Sequence, residues 1–113
     1  MLRRGRLLAL AMLTTAGTSA LAQDARLALG EKVFGSDCRT CHDNGKAQND
    51  APQLSEKSEW KDRLGKGLHE LYKSSIEGFT GYYAMPPRGG NPKLTDDEVR
   101  AAVDYMLLRA GVR

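Results

Sequence analysis

Five consecutive residues, Cys38-Arg39-Thr40-Cys41-His42, hold two thiols three positions apart with an imidazole directly after the second. Each thiol can add across one vinyl group of a haem. The adjacent histidine then reaches the iron from the same side, so the pattern reads as a covalent c-type haem attachment site. Rival chemistries fit less well. A tetrahedral zinc site needs four ligands, and outside this motif the chain has no further cysteine and one further histidine, His69. A thiol-redox C-x-x-C would sit near a βαβ pattern, and the chain has no alternating strand pattern.

A second axial ligand has to come from across the haem plane, far along the chain. Met85 is the candidate. It lies in Ala84-Met85-Pro86-Pro87, where two prolines limit the competing conformations of the loop. A thioether is soft and neutral, so it favours ferrous iron and raises the potential. His69 is the runner-up ligand, and bis-histidine ligation would lower the potential relative to His/Met. Met106 falls on the apolar stripe of a helix and is assigned to the core. A ligating histidine usually donates its other ring N–H to a carbonyl or carboxylate, and the backbone carbonyl of Pro52 is the expected acceptor. Trp60 is expected either to donate its indole N–H to a haem propionate or to pack in the core.

The elements that must position these residues read as helices. Asp24 to Phe34 places Leu27, Gly30, Val33 and Phe34 on one face, with Gly35-Ser36 expected to end the helix before the haem motif. Asp43 to Gln53 is polar and contains Gly45 and Pro52, so it reads as loop. Trp60, Leu64, Leu68, Leu71 and Tyr72 have helical spacing, interrupted by Gly65 and Gly67. Two short helices are therefore expected to meet near Gly67, the second ending at Gly78. Phe79 to Pro92, dense in glycine and proline, reads as an irregular loop. Thr95 to Arg109 is the clearest helix, opened by a Thr95/Glu98 capping box with Asp96 and Asp97 in the first turn. Tyr105 is expected to pack against Gly30 and Phe34 where the terminal helices cross. The fold class is all-α: about four short helices around one covalently bound haem.

The N-terminal 22 residues read as a secretory signal. Arg3, Arg4 and Arg6 make a cationic start, Leu7 to Leu13 is a short apolar run, and Ala20-Leu21-Ala22 is an A-x-A cleavage pattern. The alternative is an N-terminal anchor that is not removed. Taking these 22 from the 113 residues leaves 91, residues 23–113, as a monohaem domain. Three of the 17 Lys+Arg and none of the 14 Asp+Glu lie in the signal, so the domain carries 14 of each and no net charge. That balance, with no basic-aromatic patch, argues against a nucleic-acid partner. No stable membrane insertion is expected once the signal is cleaved.

Together these residues resemble a class I cytochrome c of the cytochrome c5-like group. The resemblance covers essentially all of residues 23–113. It rests on the haem motif, on Gly30 and Phe34 before it, on Ala51-Pro52 and Trp60, and on Leu71-Tyr72-Lys73-Ser74 and Gly78-Phe79. It extends through Ala84-Met85-Pro86-Pro87-Arg88-Gly89-Gly90 and the last helix with Tyr105. It implies a low-spin haem held by His42 and Met85 in a periplasmic electron carrier that is not an enzyme, with redox proteins as partners. Some proteins of that group carry an additional cysteine pair after the methionine; Asn91-Pro92-Lys93 has none. Two other functions stay open at this point. One is a haem subunit of a larger redox complex, and the other is a ligand sensor or peroxidase in which Met85 is labile.

Overall fold

A computed structural model describes residues 16–45 and 50–113. Among these the fold is all-α. Helix α1 spans Ala16–Val33 and passes through a π-turn, Phe34–Cys38, into the short α2, Arg39–His42. Helices α3, Lys57–Gly65, and α4, Leu68–Glu77, follow. A 3-10 turn, Pro87–Gly90, then precedes α5, Asp96–Arg109. Extended pairing among the described residues is limited to one antiparallel bridge between Phe79 and Met85.

The core forms where α1 crosses α5. Phe34 from the first helical run joins Val103, Tyr105, Met106 and Leu107 from the last in one buried cluster, and Val33 is buried too. Gly30 sets how close the helices come. A Cβ at that position would lie 2.1 Å from the carbonyl oxygen of Ala101, so the backbones touch where a side chain would stand. The Phe34 and Tyr105 rings pack at 5.4 Å beside this point. At the rim, Arg26 donates to Asp104 at 2.8 Å and to Asp97 at 2.9 Å, fastening α1 to α5.

Helix ends follow the chain's local chemistry. Thr95 caps α5, its hydroxyl accepting from the Glu98 N–H while the Glu98 carboxylate accepts from the Thr95 N–H. The expected junction near Gly67 is present, with α3 ending at Gly65 and α4 starting at Leu68, and Gly78 ends α4 at a φ of 84°.

Three expectations are corrected. The first helix is already present at Ala16 rather than beginning at Asp24, although Gly17, Thr18 and Ser19 are weak helix formers. Gly35-Ser36 does not end it either. The chain widens into the π-turn and continues, with the Ser36 hydroxyl oxygen 3.2 Å from the carbonyls of both Lys32 and Val33 and its proton directed to the Asp37 carboxylate at 2.6 Å. The loop at 79–92 is less irregular than its composition implies, since it carries the bridge and the 3-10 turn. Leu7 to Leu13 and the cationic start lie outside the described residues. None of the described helices is long and apolar enough to cross a membrane.

Candidate haem site

The site lies below the α1–α5 crossing, where α2, α3, α4 and the loop before α5 enclose a cavity of about 630 Å³. That falls within the roughly 300–1,000 Å³ typical of cofactor pockets. Cys38, Cys41, His42 and Met85 all line it, brought together from two stretches of chain. Val33, Val99, Val103 and Met106 make an apolar wall, with Trp60 and Leu71 facing from α3 and α4. No group of three or more His, Cys, Asp or Glu among the described residues is placed to hold a bare metal ion. The residues instead fit a flat, largely apolar plate fixed along one edge by two thiols. A haem meets that description, and its iron would fall to His42 and Met85.

His42 is prepared for metal binding by its surroundings. It is 8 % exposed, and burial lowers its pKa, so the imidazole is neutral at pH 7. Its Nδ1 lies 2.8 Å from the Pro52 carbonyl oxygen. A carbonyl only accepts, so Nδ1 carries the proton and Nε2 keeps its lone pair for a metal. The segment around Pro52 is held against α2 by the Leu54 N–H, which donates to the His42 carbonyl at 2.9 Å.

Trp60 lines the cavity, but the propionate role expected for its N–H is corrected. The indole has one donor, and that donor is spent on the Gln53 carbonyl at 2.8 Å in a buried contact. The ring serves as packing, 5.7 Å from the His42 ring. His69 is exposed on α4 and does not line the cavity. Met106 is a buried core residue that also reaches the cavity wall.

Burial, aided by Asp37 and Cys41, pushes the Cys38 thiol up to about 11. A redox-active thiol needs the opposite shift, so Cys38 is not activated as a thiol nucleophile.

Sequence reasoning did not single out Gln53. It is buried, its side-chain amide donates to the carbonyls of Cys41 at 2.7 Å and Ala51 at 3.1 Å, and its Oε1 accepts from the Asn44 N–H at 3.3 Å. No pattern signals this in advance, because Gln53 stands in a polar loop without periodicity. Phe79, Tyr82 and Tyr83 also line the cavity while remaining exposed.

Residues 25–106 match the family model described as "Cytochrome C oxidase, cbb3-type, subunit III". Cytochrome c-555 of Chlorobaculum tepidum is 40% identical over 90 residues, covering 79% of this chain and 80% of that protein. Cytochrome c5 of Azotobacter vinelandii is 34% identical over 79 residues, covering 68% and 89%. Among solved structures, the crystal structure of an electron transfer complex of nitrite reductase with cytochrome c contains a chain that superposes with a TM-score of 0.63 at 35% identity. The match covers 73% of this chain and 94% of that one. Set beside the haem motif and the cavity it lines, these relatives decide the family: the chain belongs to the class I cytochromes c, in the cytochrome c5-like group, and is an electron-transfer protein with a covalently bound c-type haem.

Proposed function

We propose that this cytochrome is a periplasmic electron carrier. Cys38 and Cys41 would hold the haem by thioethers, His42 and Met85 would ligate its iron, and residues 1–22 direct export and are then removed. The observation that carries the ligand assignment is that Met85, 43 positions beyond His42 in the chain, lines the same cavity as His42 and both cysteines. When bound, the haem supplies a one-electron Fe(II)/Fe(III) couple.

The chain's own residues do the rest. The Pro52 carbonyl fixes the His42 tautomer. The Phe79–Met85 bridge, with two backbone hydrogen bonds of 2.8 and 2.9 Å, holds the methionine in place. The apolar wall would keep water from a bound metal, one lever on its potential. With His42 and Met85 both holding the iron, the metal would offer no open site to a substrate, and partners would need only a small transient contact. Export is supported by the cationic start, the apolar run and the A-x-A pattern. Redox proteins are the partners this reading requires, as in the solved complex of a related cytochrome c with nitrite reductase.

The test is an optical spectrum of the exported, haem-loaded protein, oxidised and reduced. The expected result is low-spin bands together with a weak near-infrared sulfur-to-iron band in the oxidised form. In Met85→Ala the haem stays attached, the near-infrared band disappears and the potential falls. A wild-type spectrum without that band, or an unchanged potential in Met85→Ala, removes Met85 from the ligand set.

A second reading, a haem subunit of a larger complex, is favoured by the description of the matching family, which names an oxidase subunit. Purification separates the two: a free carrier elutes alone, whereas a subunit co-purifies with a stable partner.

A further inference from the structure

The segment carrying the thiols and the loop carrying Met85 are joined directly. Asp37, the residue before Cys38, accepts a hydrogen bond on Oδ1 from Asn91 Nδ2 at 2.9 Å, across 54 positions of sequence. Both partners are oriented for it. The Asn91 Oδ1 accepts from the Lys93 N–H at 3.1 Å, which turns the amide so that its donor faces Asp37. The Ser36 hydroxyl donates to the other Asp37 oxygen at 2.6 Å.

The backbones meet at the same place. Gly89 has a φ of +62°, and a Cβ there would lie 2.8 Å from the Asp37 carbonyl oxygen. Arg88, beside it, also has a positive φ, 56°, and its guanidinium donates to the Leu94 carbonyl at 2.9 Å and to Asp96 at 2.6 Å. The loop between Met85 and α5 is thus anchored to α5 on one side and to the attachment segment on the other.

We propose that Asn91 is a positioning residue: its hydrogen bond to Asp37 latches the Met85 loop onto the haem-attachment segment and sets how firmly Met85 is held at the iron. This rests on the assignment of Met85 as axial ligand. The physical link is the docked fraction of the loop, because a ligand's effective affinity is scaled by the fraction of time its carrier is in the binding-competent state.

The test uses the full-length, haem-loaded protein and two readouts, the near-infrared sulfur-to-iron band and the rate at which carbon monoxide binds the reduced form. Carbon monoxide enters only when the methionine has left, so loosening the latch speeds its binding. Losing one net hydrogen bond predicts a rise of roughly two- to tenfold in Asn91→Ala. Asn91→Ser keeps an acceptor for the Lys93 N–H but is too short to reach Asp37, and should show the same rise. It decides the matter if Asn91→Ala fails to load haem. The exchange Asp37→Asn with Asn91→Asp restores a donor opposite an acceptor and should return the rate to within about twofold of wild type. Wild-type rates in Asn91→Ala and Asn91→Ser, or an exchanged pair as fast as Asn91→Ala, overturn the latch while leaving Met85 as ligand. A wild-type protein without the sulfur band, or a Met85→Ala protein that keeps it, overturns the ligand assignment and the latch with it.

Discussion

Gln53 closes the surroundings of His42. Its amide joins the carbonyl of Cys41 to that of Ala51, its own carbonyl takes the Trp60 N–H, and its N–H donates to the Glu56 carboxylate at 2.8 Å. These bonds hold the Pro52 carbonyl where His42 Nδ1 meets it. Gln53→Ala removes the donor from the part-buried carbonyls of Cys41 and Ala51, a cost of about 1 kcal/mol. In a domain of this size each kcal/mol moves the melting temperature by roughly 4–8 °C. Thermal unfolding of the haem-loaded variant followed by circular dichroism should show that fall, and an unchanged midpoint would mean water replaces the amide at no cost. The chemistry of the site was legible at this scale wherever it depends on residue type and spacing. Two thiols and an imidazole in five positions announce themselves, and a methionine between an alanine and two prolines is a recognisable candidate. The roles of Gln53 and of the Trp60 N–H were not legible, because each depends on which carbonyl a loop brings within 3 Å, and a polar loop has no period from which to read that.

The elements owe their boundaries to short-range chemistry and their arrangement to a few close approaches. The capping box of α5 and the break at Gly67 are local, so they could be read from sequence. The continuation of α1 through Gly35-Ser36 could not, because glycine and serine read as a helix end, whereas the backbone carries on through the wider π-turn, Phe34–Cys38. The π-turn has a consequence for the site. An extra residue in a helical run turns everything after it by about 100° relative to an unbroken α-helix, so Cys41 and His42 emerge on a different face from the one an α-helix would give. Gly30 is the contact that fixes α1 on α5. In Gly30→Ala the new methyl would sit 2.1 Å from the Ala101 carbonyl oxygen and 2.7 Å from its carbon. Neither is a flexible side-chain end, so the helices must separate. Overpacking of this kind costs about 1–3 kcal/mol and occasionally more. The check is chemical denaturation of the haem-loaded protein. The midpoint should drop with the slope unchanged, and a midpoint equal to wild type would show that the crossing tolerates a wider spacing.

Across the whole molecule the helices are held in two different ways. Helix α5 buries seven of its residues, Val99, Ala101, Ala102, Val103, Tyr105, Met106 and Leu107, and meets α1 through direct packing and the Arg26 ion pairs. Helix α4 buries none. Its Leu71, Ser74 and Ser75 face the cavity, as do Phe79 and Met85 in the loop that follows. A domain of about 90 residues buries only a modest share of its surface and has little stability to spare. The apolar faces turned toward the cavity therefore depend on the covalent plate to keep them from water. The two regions should separate when attachment is prevented. In Cys38→Ala/Cys41→Ala, hydrogen exchange is expected to find the amides of α4 and residues 79–90 nearly unprotected, while the middle of α5 keeps measurable protection. The haem-loaded protein should be protected in both. Equal loss in both regions would show that the α1–α5 crossing cannot stand without the cofactor. Equal retention would show that α4 needs nothing beyond its partial packing on the core and its Tyr72–Asp104 hydrogen bond. The graded outcome follows from where the buried side chains lie: the crossing contributes its own buried apolar contacts, whereas α4 buries no residue and packs on the core only through the partly buried Leu68, Leu71 and Tyr72.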